Sequence, residues 1–176
     1  MIVLTPRLEL LPVTYEIICA ELHRRDELPA LINATLGAGW RPELLDVNAM
    51  EWLKRSQEND PALGPWTMWY WITRSPRVLI GMSGFKSRPV NGETEIGYSV
   101  LPLFQRQGFA TEGVSAKIEW AFANGVERLI AETLPELIPS QALLRKCGFT
   151  RCDGASEPGV IRFERRAPSD TPNRAR

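Results

Sequence analysis

Residues 95–112 read Glu95-Ile96-Gly97-Tyr98-Ser99-Val100-Leu101-Pro102-Leu103-Phe104, then Gln105-Arg106-Gln107-Gly108-Phe109-Ala110-Thr111-Glu112. Up to Val100 the stretch has the β-branched and aromatic character of a strand. From Ala110 the period becomes helical, with Val114, Ile118, Ala121 and Phe122 on one face. A strand, a loop and a helix start therefore follow one another directly. Unpaired N–H groups and the positive end of a helix dipole converge at such a junction, which can hold phosphate oxygens with few cationic side chains. Gly108 lets the main chain approach a ligand, Arg106 adds one positive charge, and no acidic residue lies between Gln105 and Ala110. Taken alone, Gly108 fits a plain turn into a helix better than a binding role. The chain contains neither Gly-x-x-x-x-Gly-Lys-Ser/Thr nor Gly-x-Gly-x-x-Gly, so the P-loop and the dinucleotide fingerprint are both absent.

Upstream of this junction, Asn91-Gly92 turns the chain into Glu93–Val100, and Ser75-Pro76-Arg77 turns it into Val78–Phe85. Residues 66–73, dense in aromatics, give a third strand, and the three predict an antiparallel meander. Trp66, Trp69, Tyr70 and Trp71 look like a stacking box, but strand alternation splits them between two faces of a packed core. Earlier still, Arg7–Leu11 alternates as a short strand, and Thr14 can cap a helix carrying Tyr15, Ile18 and Leu22. Residues 26–40 are ambiguous. Pro42 suits a first helical position, with Leu45, Ala49, Trp52 and Leu53 as the apolar face, and Asp60-Pro61 ends that helix.

Downstream, Asn124-Gly125 closes the helix and Arg128–Thr133 forms a further strand. A helix runs from about Pro139 to Cys147 and stops at Gly148, followed by strands at Phe149–Cys152 and Val160–Arg165. The pattern predicts one α+β domain over residues 1–167, with a mostly antiparallel central sheet and helices on both faces, and a disordered tail over 168–176.

Composition removes several classes of function. The 176 residues carry 21 basic and 21 acidic side chains, so no global field draws the chain to nucleic acid or to an anionic membrane. No apolar run is long enough for a membrane span, and the first eleven residues lack a signal-peptide layout, which makes the cytoplasm the expected location. Cys19, Cys147 and Cys152 show no metal-ligand spacing and are expected to be reduced thiols; no metal is expected. His23 is the only histidine and falls near a helix end, so histidine-based nucleophilic chemistry is not expected.

Gln105-x-x-Gly108-x-Ala110 resembles the Q/R-x-x-G-x-G/A signature of GNAT N-acetyltransferases. Four ordered segments are similar to the RimJ/RimL-like branch of that family. These are Thr5-Pro6-Arg7-Leu8 with Leu10-Leu11-Pro12, Glu95-Ile96-Gly97-Tyr98, Thr111-Glu112, and Ser140–Phe149 with Lys146-x-Gly148-Phe149. The resemblance runs from about Thr5 to Arg165. It implies a GNAT-like fold whose central sheet splays where acyl-CoA binds.

By that resemblance, backbone groups near Ser99, Val100 and Leu101 would pair with the pantetheine arm of acetyl-CoA. The amides of Gln105, Arg106, Gln107, Gly108, Phe109, Ala110 and Thr111 would hold the pyrophosphate, and a free N–H near Val100 would polarise the thioester. An amine would attack directly, without an acyl-enzyme. Glu95 is the candidate for removing the ammonium proton, and Ser140 for reaching the CoA sulfur. Each has a plain structural alternative, Glu95 as a charge on the sheet and Ser140 as a helix-start residue bonding local amides. Two positions depart from the family pattern: Leu144 stands where many members have a tyrosine acid, and Leu137 where an asparagine is usual. They leave open a second reading, a non-catalytic acyl-CoA-binding module. Trp40 lies in the region that tops the acceptor site in this family, where it would pack substrate or serve ordinary packing. Glu43, Asp46 and Glu51 would favour a cationic amine, but Arg41, Lys54 and Arg55 offset them. Expected partners are acyl-CoA and an amine, with a monomer or homodimer as the assembly.

Overall fold

The computed structural model describes residues 1–42 and 45–168. The chain begins with β1 (Val3–Leu4) and β2 (Leu8–Pro12), then α1 (Tyr15–His23), α2 (Leu28–Leu31) and β3 (Thr35–Leu36). α3 (Val47–Asn59) and a 3₁₀ turn lead into the meander β4 (Met68–Thr73), β5 (Val78–Phe85) and β6 (Glu93–Val100). The last third is α4 (Phe109–Ala123), β7 (Arg128–Thr133), α5 (Ile138–Lys146), β8 (Thr150–Cys152) and β9 (Ile161–Arg166). The strands form one sheet in the order β1-β2-β4-β5-β6-β7-β9-β8, with β3 parallel against the start of β5.

All pairings are antiparallel except β3–β5 and β6–β7. The β6–β7 pairing decides the shape. Glu93, Thr94 and Glu95 face Arg128, Leu129 and Ile130, and from Ile96 to Val100 β6 pairs only with β5. The sheet is therefore split along half the length of β6.

Helices cover both faces. Ile17 and Ile18 of α1 and Met50 and Leu53 of α3 pack with Tyr70, Ile72 and Leu79. On the other face Val114, Ile118 and Ala121 of α4 and Leu144 of α5 pack with Trp69, Trp71, Ile96 and Phe163. The aromatic run of β4 is thus core on two sides, as strand alternation requires.

Two expectations need correction. α3 starts at Val47, not Pro42, because Asp46 accepts the Ala49 amide at 2.7 Å and makes the stronger N-cap. Its buried stripe is Met50, Leu53 and Gln57, and Trp52 is 52 % exposed. Residues 26–40 hold a four-residue helix and a two-residue strand, both too short to leave a periodic signal. Glu43 and residues 169–176 lie outside the described residues. Cys147 is buried, Cys19 and Cys152 are half-buried, and His23 is exposed. Among the described residues no helix is long and apolar enough to cross a membrane.

Lys117 departs from the apolar pattern of α4. It is fully buried, its Nζ lies 3.7 Å from the Trp69 ring centroid and within 4.5 Å of those of Trp120 and Phe85, and it donates to the Pro65 carbonyl. Burial pushes the ammonium down to about 5. The rings and the carbonyl favour the charged form and work against that shift. With the folded value below the unfolded one, the unfolded chain binds more protons, and stability rises with pH across the interval between them. Lys117→Met is expected to raise Tm, and to raise it more at pH 6 than at pH 9. An equal gain at both, measured by calorimetry, would show that the ring cage keeps the ammonium charged in the fold.

Candidate active site

The loop between β6 and α4 is built to leave amides free. Arg106 and Gly108 both take left-handed backbone conformations, with φ of 59° and 85°. Gly108 is the N-cap of α4, and no side chain caps that helix start. The first amides of α4 therefore stay available to an anion. Gln105 folds its own amide back onto the Val100 carbonyl at 3.0 Å, and Gln107 does the same to Leu103 at 2.8 Å. Their side chains brace the loop, so what they offer an anion is main chain.

The loop is also held from behind by a contact between distant segments. Glu112 accepts from the Thr5 hydroxyl at 2.6 Å, the Arg7 amide at 2.7 Å and Arg7 Nε at 2.7 Å. Arg7 Nη1 donates to the Gln107 carbonyl at 2.9 Å, and its guanidinium lies 4.4 Å from the Phe109 ring centroid. Burial would raise the Glu112 carboxyl, but the bonds from Thr5 and Arg7 outweigh it and leave the group below the usual range. Thr5-Pro6-Arg7 and Thr111-Glu112, separate in sequence, are one joint.

A cleft of about 530 Å³ opens from this loop into the split of the sheet, lined by Val100, Arg106, Gly108, Thr111, Ser140 and Lys146 among others. Lys86 N–H bonds the Glu95 carbonyl and Leu101 N–H bonds that of Ile80, so the odd residues of β6 address β5. By ladder alternation the backbone groups of Ile96, Tyr98 and Val100 face the split. Of the three residues expected to pair with pantetheine, Val100 offers its N–H there. Ser99 turns its backbone to β5, and the Leu101 N–H and carbonyl are already used by Ile80 and Phe104.

Ser140 sits at the start of α5, and Tyr98 meets it across the split with Oη 2.8 Å from Ser140 Oγ. Burial is the main cause that pushes the Tyr98 phenol up to about 12, so it stays a proton donor near neutrality. Tyr98, Lys146 and Arg7 were missed as site residues from the sequence. Alternation along β6 was the available signal for Tyr98; Arg7 was marked only by the family resemblance of Thr5-Pro6-Arg7-Leu8, because its partners are about a hundred residues away. Leu144 is fully buried and does not line the cleft, whereas Leu137 is half exposed and does.

Glu95 is not in this cleft. It lies on the opposite face of β6 with Gly97 and Ser99, where Lys86 Nζ meets its Oε1 at 2.6 Å. Residues 97 and 99 of this face are exposed and half-buried, and a Cβ on Gly97 would touch nothing within 4 Å. The slot in the sheet thus has the anion loop, Ser140 and Tyr98 on one side and Glu95 on the other. Trp40 takes no part: it is buried, edge-on to Tyr70, with its indole donating to Glu21 at 3.1 Å. A separate hollow of about 560 Å³ beside Tyr15 and Gln57 is lined mainly by carbon, and its only carboxylate, Glu58, already accepts from Tyr15.

Residues 7–150 match the sequence profile of the acetyltransferase (GNAT) domain. The chain belongs to the GNAT acetyltransferase family. It is 26% identical over 159 residues to the FsC-acetyl coenzyme A-N(2)-transacetylase of Aspergillus fumigatus, covering 85% of this chain and 65% of that protein. It is 33% identical over 103 residues to the uncharacterized N-acetyltransferase YoaA of Bacillus subtilis, covering 56% of this chain and 55% of that one. The chain thus spans less than two thirds of either relative. In fold it is similar to a ribosomal-protein-serine acetyltransferase structure from Vibrio cholerae, with a TM-score of 0.66 at 22% identity over 95% of this chain and 98% of that one. RimL, a ribosomal L7/L12 α-N-protein acetyltransferase solved with coenzyme A, matches with a TM-score of 0.63 at 17% identity over 94% and 98%. The GNAT fold with its split sheet agrees with the architecture expected from the sequence.

Proposed function

We propose that this chain transfers an acetyl group from acetyl-CoA to a primary amine, by direct attack and without an acyl-enzyme. The observation that carries the reading is the split of the sheet beyond Glu95 and Ile130, with an uncapped helix start on one side and a carboxylate on the other. The cleft residues fit the cofactor: free amides at Gly108–Thr111 for the pyrophosphate, Arg106 and Lys146 as nearby cations, and the edge of β6 for the amide-bearing arm. Acetyl-CoA supplies the activated acyl group when bound. The chain supplies alignment of two reactants, which is a large share of what such a site can do.

The roles of the named side chains follow from their sides of the slot. Val100 N–H faces the split and can stabilise charge on the thioester oxygen. Tyr98 donates to Ser140, leaving the Ser140 hydroxyl proton free to turn to the sulfur. Glu95 receives the proton of the incoming ammonium, directly or through water, after Lys86 moves aside. The four motifs similar to RimJ/RimL-like enzymes, together with the fold likeness to RimL, support acceptors with a free primary amine.

Incubation with acetyl-CoA and an amine panel should release free thiol. Ser140→Ala and Glu95→Gln are each expected to lower kcat by roughly a hundredfold, the low end for proton transfer, with CoA affinity unchanged. Full activity in either variant would remove that residue from the mechanism. Thermal stabilisation by CoA without thiol release from any amine would favour a binding module.

A further inference from the structure

We propose that the open face of β6 receives an amine that carries its own carboxylate, so that the acceptor is a small zwitterion of the amino-acid type. This rests on the acetyltransferase reading above and narrows its acceptor.

The face beside Glu95 holds a cleft of about 480 Å³, within the range of small-molecule sites, lined by Lys86, Ser87, Glu93, Glu95, Ile130 and Arg162 among others. It adjoins the slot, because Glu95 and Ile130 are the last β6–β7 pair before the strands part. Gly97 follows on the same face with no side chain to block the way. Its charges are two cations and two carboxylates, and they are unequally engaged. Glu93 is committed, with Arg128 Nη1 at 2.8 Å and Arg162 Nη2 at 3.4 Å. Arg162 is only partly engaged: its Nη1 donates to the Gly154 carbonyl and lies 3.8 Å from Glu132, its Nη2 reaches Glu93 only at 3.4 Å, and its Nε has no hydrogen-bond partner. Lys86 is 65 % exposed and rests on Glu95, itself 21 % exposed.

An ion pair so open to water is held weakly and separates readily. If an ammonium takes the place of Lys86 on Glu95, the freed Lys86 stands beside the new cation. For a plain amine or a polyamine this adds like-charge repulsion, because no second unpaired carboxylate lines the cleft among the described residues. A carboxylate a few bonds from the ammonium removes the conflict by accepting Lys86 and the spare donors of Arg162. The Lys86–Glu95 pair then occupies the two charges that a zwitterion brings, and the neutral total of the cleft matches a neutral ligand.

The test is calorimetric titration of the CoA-loaded protein with the twenty standard amino acids, β-alanine and γ-aminobutyrate. Leucine, methionine and glutamate are compared with their α-carboxamides, and thiol release from acetyl-CoA is followed in parallel. At least one acid should bind ten times tighter than its carboxamide. Lys86→Met should erase most of that preference by weakening the acid while leaving the carboxamide within threefold. Equal binding of acid and carboxamide, a preference that survives Lys86→Met, no binding by any acid, or better turnover of peptide N-termini that lack a nearby carboxylate would each overturn the proposal. Carboxylate-dependent binding without thiol release would leave the zwitterion site standing and defeat the acetyltransfer reading. Thiol release from carboxamides and plain amines without an acid preference would do the reverse.

Discussion

Gly108→Asp is expected to weaken CoA binding at least a hundredfold. Gly108 has φ of 85° and caps α4 without a side chain. A left-handed conformation costs an L-residue about 1–2 kcal/mol. A new Cβ would lie 3.1 Å from Arg7 Nη2, inside the joint that ties Thr5 and Arg7 to Glu112. The carboxylate then has two destinations, and both dismantle the site. It can cap the N2 and N3 amides, which are the groups an anion needs, or it can draw Arg7 away from Glu112 and Gln107. Either adds to the backbone strain and sets a negative charge at the positive end of the helix. A total of about 3 kcal/mol corresponds to a factor of a hundred or more. Gly108→Ala carries the strain without the charge and should lose about tenfold. Calorimetric CoA affinities for the two variants, with melting curves to show that both fold, check this. Unchanged affinity in Gly108→Asp would count against placing the pyrophosphate on this loop.

The loop also shows how far the sequence could be read. Strands Val78–Phe85, Glu93–Val100 and Arg128–Thr133 match their expected bounds residue for residue, because Asn91-Gly92, Asn124-Gly125 and Ser75-Pro76 punctuate them with residues few other conformations favour. The start of α3 was misplaced because a proline at a first turn is only permissive, while Asp46 supplies an actual hydrogen bond. The split of the sheet could not be derived from residues. It depends on β7 pairing with only three residues of β6, a tertiary choice that the strand pattern does not encode. The resemblance to GNAT sequences implied it instead. The same limit applies to the candidate site: Ser140 and the loop were legible as candidates, but not Tyr98 against Ser140, Arg7 behind Gln107, or Lys86 on Glu95, each a contact between segments far apart or on a face that alternation alone leaves unassigned.

The two faces of β6 give the assembly its direction. Tyr98 and Val100 turn toward the loop, while Glu95, Gly97 and Ser99 turn away from it. In the proposed reaction, period two along this strand would separate the donor side from the acceptor side, and the step joining them would fall in the slot between. Leu144 fits this arrangement: its position faces the core, so in the proposed reaction the proton for the leaving sulfur would come from Ser140 and its Tyr98 partner, or from solvent.

Gly113→Leu is expected to lower stability by more than about 3 kcal/mol, the range of severe overpacking and above. α4 rests on the indole of Trp71, and a Cβ on Gly113 would lie 2.6 Å from Trp71 Cε2, with two further ring atoms within 2.8 Å. Real Cβ atoms do not approach so closely, so helix or indole must move. Trp71 has no room to yield. It is fully buried, and its Nε1 donates to Ser83 Oγ at 3.0 Å. Gly113→Ala gains about 1 kcal/mol of helix propensity, which offsets part of its clash, so its net loss should be smaller. At about 2–4 °C per kcal/mol for a domain of this size, the leucine variant should melt some 10 °C lower, measured by calorimetry. The alanine variant carries the functional consequence. Gly113 lies five residues beyond Gly108 on the same rigid helix, so lifting α4 from Trp71 shifts the anion loop relative to the slot. CoA affinity should fall in Gly113→Ala even where most of the stability remains. A cycle with Trp71→Leu should recover part of both losses, because the smaller side chain leaves space for the added methyl. Independent, additive effects of the two substitutions would mean that the helix seat and the cofactor loop are not mechanically coupled.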